Sequence, residues 1–276
     1  MNGKLCLITG ASSGIGKVAA IELAKRGASM VLVCRTAEKG RLTAEEIKGA
    51  TGNRSIDFLA ADLSSQAEIR KLAADYQSRF PAPQILINNA GLALKKRTLS
   101  PDGIEMTFAV NHLAYFLLTN LLLDPLKSNG PARIVNVSSD AHHSGAIDFE
   151  DLQFEKHYSA WKAYCRSKLC NLFFTYELAK RLQGTAVTVN ALHPGAVATK
   201  IFRDVPAPLR ALILLLTMSP QKGAQTTVYL ASSPEVEDVS GKYFKKKAEA
   251  QSSAASRDAQ VAGRLWEISA KMTGLS

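Results

Sequence analysis

Seven short strand-like runs, at residues 5–8, 30–34, 56–60, 85–87, 134–137, 187–191 and 242–244, alternate along the chain with segments of helical spacing. Most are continuously apolar rather than alternating, the pattern of parallel strands buried on both faces. Between the first two, Ile15, Val18, Ala19 and Leu23 share one helical face, while Lys17, Lys25 and Arg26 fall elsewhere. This order predicts an α/β fold with a doubly wound parallel sheet of about seven strands and helices on both faces. No low-complexity linker or internal repeat divides residues 1–276, so the chain reads as a single domain. An α/β chain of this length can bury a full core by itself.

Two connections break the rhythm, at residues 141–160 and 196–220. Both follow the carboxyl ends of expected strands, where open α/β sheets bind ligands. Long loops there are more often functional than idle.

The first strand runs into Thr9-Gly10-Ala11-Ser12-Ser13-Gly14-Ile15-Gly16, with the next helix following directly. Glycine permits the tight turn and lets backbone N–H groups approach a pyrophosphate at the helix N-terminus. Gly10, Ser12, Ser13, Gly14, Ile15 and Gly16 are therefore candidate cofactor-binding residues. The spacing is not GxGxxG, and no lysine follows it, which excludes a P-loop. About twenty residues after Gly14, where an NAD enzyme places a carboxylate for the ribose 2′-hydroxyl, stand Cys34 and then Arg35. A guanidinium can pair bidentately with a 2′-phosphate that a carboxylate would repel. Arg35 thus points to NADP(H); an exposed arginine at a strand end is the plainer alternative.

Tyr164 and Lys168 are spaced to share a helical face. A phenol titrates near 10, so it needs help to exchange protons at neutrality. An ammonium about 4–5 Å away favours the phenolate by roughly 3–4 kcal/mol at an effective dielectric near 20. The expectation is therefore a depressed Tyr164. Ser138 and Ser139 close the fifth strand and can present a hydroxyl to a substrate oxygen. Asn88-Asn89-Ala90-Gly91 closes the fourth, with small residues that permit close cofactor approach. Asn111 is a polar amide inside an apolar helical stretch, either functional or marking a helix kink.

The formal charge is +10, but no arginine- and lysine-rich helix or basic stripe interleaved with aromatics accompanies it. Nucleic acid is therefore excluded as a partner, while an anionic cofactor or a membrane surface is compatible with the charge. Lys245-Lys246-Lys247 reads as exposed. Four cysteines without a CxxC pair suit reduced thiols, with no metal site and no disulfide framework. There is no secretory pattern, and the aliphatic stretch 209–216 is too short to span a bilayer, so a cytoplasmic location is expected.

Thr9 to Gly16, Asn88 to Gly91, Asn111, Ser139, Tyr164 with Lys168, and Pro194-Gly195 together resemble the short-chain dehydrogenase/reductase family, in order and in separation. Residues 105–123, 133–143, 164–168 and 264–275 resemble its retinol dehydrogenase-like members. The resemblance implies a Rossmann-type fold and hydride transfer between a nicotinamide cofactor and a carbonyl or alcohol carbon. It implies that Tyr164 donates and accepts the proton, that Lys168 assists it and holds the nicotinamide ribose, and that Ser139 orients the carbonyl. Asn111 would hold a water in a proton relay. Asp62 and Leu63 would contact the adenine, Asn89, Ala90 and Gly91 would border the cofactor, and Pro194, Gly195, Val197 and Thr199 would meet the nicotinamide amide. Ser138, His142, His143 and His193 read as structural. Ser13 stands where some NADP-preferring members carry a basic residue, so the NADP reading leans on Arg35.

The substrate is expected to be an apolar aldehyde, ketone or alcohol. The first long connection offers Ile147, Phe149, Leu152, Phe154, Tyr158 and Trp161. The second offers Ile201, Phe202, Val205 and residues 209–216, flanked by Arg203 and Arg210 that suit a membrane surface. These residues either line a pocket or pack the loops onto the sheet. A catalytically silent NADP(H) sensor on the same fold is the alternative function, and a homo-oligomer is compatible with either.

Overall fold

The computed structural model describes residues 1–128, 130–195 and 219–275. The strands are β1 (Leu5–Thr9), β2 (Ser29–Cys34), β3 (Ile56–Ala60), β4 (Ile85–Asn88), β5 (Ala132–Val137), β6 (Val187–His193), β7 (Lys242–Lys245) and β8 (Ala248–Glu249). They form one sheet in the order β3-β2-β1-β4-β5-β6-β7-β8, parallel throughout except for the β7–β8 pair. The helices that concern the site are α1 (Gly14–Lys25), α2 (Ala37–Thr51), α3 (Gln66–Arg79), α4 (Met106–Phe108), α5 (Ala114–Leu121), α6 (Leu123–Ser128), α7 (Ala160–Arg181), α8 (Pro220–Ser232) and α9 (Ala259–Met272).

The continuous apolar strands bury both faces, as their composition requires. Ile8, Met30 and Leu32 face the core beneath α1 and α8, while their neighbours Leu7, Val31 and Val33 face the core beneath α3, α5 and α7. Strand order reverses between β1 and β4, which register as Ile8 opposite Ile87. That reversal opens a crevice at the carboxyl ends, the usual ligand position in such sheets.

The sheet has eight strands where about seven are expected, the last a two-residue strand. Lys246 and Lys247 both take positive φ, 53° and 65°, the geometry of a two-residue hairpin turn. Two lysines carry none of the Asn-Gly chemistry that signals such a turn, so the hairpin was not legible. Lys245 also departs from its reading as merely exposed, since its ammonium pairs with Asp140.

The helix that carries Asn111 is not regular. Between α4 and α5 lies a π-helical turn, Ala109–Leu113, in which the N–H of Ala114 bonds back to Ala109. All four cysteines are buried free thiols. Among the described residues, no helix is long and apolar enough to cross a membrane, and no cluster of ligating side chains could hold a metal ion.

Candidate active site

The carboxyl ends of β1 and β4 are stitched together. The Thr9 hydroxyl accepts from the N–H groups of Asn89 (2.9 Å) and Ala90 (3.1 Å). The Asn89 amide donates to the carbonyls of Thr9 (2.8 Å) and Gly10 (3.3 Å). Gly10 and Gly14 hold φ of 67° and 59°, which disfavours any side chain there. A Cβ on Gly10 would lie 2.8 Å from the Ala90 Cα, and one on Gly16 would lie 2.4 Å from the Asn89 amide nitrogen. The glycine loop is thereby pressed against the Asn89–Ala90 segment.

Helix α1 begins immediately after this loop, with Ser13 at its N-cap but no side chain capping it and no acidic residue in its first turn. Helices α2, α3, α7 and α8 are capped by Thr36, Ser65, Ser159 and Ser219. The first N–H groups of α1 and its positive dipole end are left for an anion. Ile15 is buried in the core, so only its backbone can face the loop. Ser12 and Ser13 are half-buried. At the end of β2, Arg35 is exposed and makes no hydrogen bond or ion pair among the described residues. Asp62 shapes the turn after β3, accepting from the Ser64 N–H at 3.0 Å, and Leu63 packs against the core.

The catalytic candidates converge beyond β4 and β5. The Ser139 hydroxyl accepts from the Ala141 N–H at 3.2 Å and stands on the Tyr164 side of the site, where it favours the phenolate. Lys168, 3% exposed, donates to the Val137 carbonyl at 2.9 Å. Its ammonium lies 5.7 Å from the centre of the Tyr164 ring. A Cβ on Gly91 would sit 3.4 Å from Asn111 Oδ1 and 3.5 Å from Lys168 Nζ, so Gly91 floors the space beside both. Asn111 is fully buried and clamps the next loop, accepting from the Leu92 N–H (2.8 Å) and donating to the Leu92 carbonyl (2.9 Å) and to Ser167 (3.0 Å). It sits within the π turn. Pro194 and Gly195 follow β6 at the same edge, Gly195 with φ of 94°. Val197 and Thr199 lie outside the described residues, as do the apolar and arginine positions of the second connection.

Burial moves both titrating groups. Desolvation pushes the Tyr164 phenol up to about 12, against the opposing pull of the Ser139 hydroxyl. The Lys168 ammonium is pushed down to about 7. Where the spacing leads one to expect Lys168 to lower Tyr164, desolvation is the largest influence on each group and favours its neutral form. The consequence is testable. From about pH 7 to about pH 10 the unfolded chain keeps a proton on this lysine that the folded chain has released. Stability relative to Lys168→Met should therefore rise with pH across that window, in urea unfolding of both proteins. A difference independent of pH would exclude a neutral Lys168.

The first long connection does not line the site in the expected way. Leu152 is buried in a cluster with Phe108, Leu113, Leu169, Phe173 and Leu265, and Ile147 and Phe149 pack against it. Phe154 is buried beneath the Arg166 guanidinium, 3.8 Å from its ring centre. Tyr158 donates to the Leu94 carbonyl at 2.9 Å. For these residues packing is the observed role; Trp161 alone is 58% exposed.

Several contributors carried no sequence signal. Arg166 donates to the carbonyls of Ala146 (2.9 Å), Asp151 (2.5 Å) and Leu152 (3.0 Å), clasping the loop to α7. Gly145 fits there because a Cβ would lie 2.7 Å from the Cys165 carbonyl oxygen. Asp140 accepts from Tyr243 (2.8 Å) and Lys245, and its N–H donates to His193 Nδ1 (3.1 Å). Burial holds His193 down at about 4, so its neutral ring can accept that bond. This network ties the residue after Ser139 to β6 and β7. Ser138 donates to the Lys168 carbonyl at 2.7 Å, and His142 bridges the Ser139 carbonyl and the Ser253 N–H. His143 is exposed.

This arrangement has known counterparts. A short chain dehydrogenase family model matches residues 4–209. Human retinol dehydrogenase 13 is 46% identical over 99% of this chain and 85% of its own length. An uncharacterised protein from Mycobacterium paratuberculosis superposes with a TM-score of 0.82 at 33% identity, covering 99% of this chain and 94% of that one. The Pseudomonas aeruginosa RhlG/NADP active-site complex superposes with a TM-score of 0.72 at 26% identity, over 88% and 94% of the two chains. With its glycine loop, its Ser139–Tyr164 pair and Lys168 beneath them, the chain belongs to the short-chain dehydrogenase family of oxidoreductases.

Proposed function

We propose that this protein is an NADP(H)-dependent oxidoreductase that interconverts apolar carbonyl compounds and alcohols. The observation that carries the reading is the convergence of Tyr164 and the buried Lys168, its ammonium 5.7 Å from the phenol ring and beside Gly91, on the strand edge that Ser139 closes. The residues present fit a dinucleotide. The uncapped start of α1 suits its pyrophosphate, held by Gly10, Ser12, Ser13, Gly14, Ile15 and Gly16. Arg35 would hold the 2′-phosphate, Asp62 and Leu63 the adenine, and Asn89, Ala90, Gly91, Pro194, Gly195, Tyr164 and Lys168 the nicotinamide half. Val197 and Thr199 complete the proposed set.

The bound nicotinamide would supply or accept the hydride. Ser139 would donate a hydrogen bond to the substrate oxygen and fix its position. Tyr164 would pass its proton to that oxygen as negative charge develops there. A Lys168 near 7 can exchange a proton at neutral pH and return it toward the phenol. The side chain of Asn111 is engaged by Leu92 and Ser167, so it would hold the relay water through the π-turn backbone, whose carbonyl pattern is shifted. The names of the retinol dehydrogenase relatives suit a substrate of retinoid size.

Arg35 tests the cofactor. A charge-assisted hydrogen bond contributes about 1.5–3 kcal/mol, or roughly 10- to 100-fold in affinity. Arg35→Ala should weaken NADPH by that factor and leave NADH nearly unaffected, in fluorescence titrations of both. Equal weakening would remove the 2′-phosphate from Arg35. A panel of aldehydes that consumes neither NADPH nor NADH would favour the silent sensor instead.

A further inference from the structure

Trp161 breaks the pattern of its loop. Ile147, Phe149, Leu152 and Phe154 are all turned inward, yet this indole, in the first turn of α7, is 58% exposed. The one aromatic ring it meets among the described residues is that of Tyr164. The two lie 6.4 Å apart between centres and 31° from parallel. A large aromatic surface held in water costs free energy that covering it would recover.

Its direction is informative. Trp161, Tyr164 and Lys168 share one face of α7 at spacings of three and four residues. Lys168 lies on the side of Gly91 and Asn111, where the cofactor half of the site is built. Trp161 lies on the other side of Tyr164, one turn toward the helix N-terminus. A substrate whose oxygen rests between Ser139 and Tyr164 must extend away from the cofactor half, and so toward Trp161.

A second apolar element is fastened at the same end. Leu92, Ala93 and Leu94 are half-buried. Asn111 holds both backbone groups of Leu92, and the Tyr158 hydroxyl holds the Leu94 carbonyl. Tyr158 precedes Trp161 by three residues, so this bond sets the leucine segment beside the start of α7.

We propose that Trp161 is a specificity-determining residue whose indole face receives the apolar body of an extended aldehyde or alcohol. This rests on the carbonyl–alcohol reading above. The ligand class it selects is a chain or conjugated system long enough to pass beyond the Tyr164 ring, with short carbonyl compounds failing to reach it.

The test compares kcat/KM for decanal and butanal with NADPH. In Trp161→Ala the decanal-to-butanal ratio should fall about 10- to 100-fold, the scale of one uncovered aromatic face. Trp161→Phe should recover most of it. A binding measurement independent of turnover uses a Trp266→Phe background, in which Trp161 is the sole indole. Decanamide, an unreactive analogue, added with NADP+ should shift the Trp161 emission to the blue, and butanamide should not. An unchanged ratio in Trp161→Ala, or an emission that ignores decanamide, would overturn the assignment while leaving the activity standing. An enzyme that reduces neither aldehyde, and whose Trp161 emission ignores decanamide, would sink both.

Discussion

Tyr164→Phe should lower turnover by about 10²–10⁴-fold, the usual contribution of a positioned general acid, while the cofactor still binds. The substitution removes one oxygen from a ring that otherwise keeps its place. The Lys168–Val137 bond, the Asn111 clamp on Leu92 and the stitched β1–β4 edge do not pass through the phenol. What disappears is the hydroxyl proposed to donate the proton to the substrate oxygen. Steady-state NADPH consumption and a fluorescence titration with NADPH separate the two effects. A Tyr164→Phe enzyme with most of its turnover would refute the proposed acid. One that had lost NADPH affinity as severely as turnover would instead make Tyr164 chiefly a binding residue.

Arg166→Ala should destabilise the protein by about 2–4 kcal/mol and loosen the loop it clasps. Hydrogen bonds from a charged donor contribute about 1.5–3 kcal/mol each, and losing one partner leaves the others under-satisfied. Here one guanidinium serves three carbonyls of the loop and covers the Phe154 ring. Burial lowers its affinity for its proton, with the nearby carboxylates of Asp148, Asp151 and Glu105 opposing that drift. Arg166→Lys should recover little, because an ammonium cannot span the three acceptors with a planar fork. Urea unfolding reads the stability, and limited proteolysis within 145–158 reads the loop. A loss below about 0.5 kcal/mol would place Arg166 among ordinary surface substitutions.

The strand and helix pattern, the glycine loop and the Tyr164–Lys168 pair could all be read from the chain. Each rests on local physics: a period of 3.6 or an unbroken apolar run, a backbone that needs positive φ at Gly10 and Gly14, and a spacing that shares a helix face. Sequence also indicated that Arg35 would stand at the end of β2, since a strand's end is a local property. What it could not settle depended on partners distant along the chain. Burial of Tyr164 and Lys168 reversed the shift that spacing alone suggests, because desolvation is set by everything packed around a group. Asp140 found Tyr243 and Lys245 more than a hundred residues away, and two lysines turned a hairpin without turn chemistry. Composition made Phe149, Leu152, Phe154 and Trp161 equal candidates for a pocket. Only the tertiary structure turned the first three inward under the Arg166 clasp and the α9 contacts, and left Trp161 facing out beside Tyr164, because which side of a loop meets the core is decided by the elements that close over it.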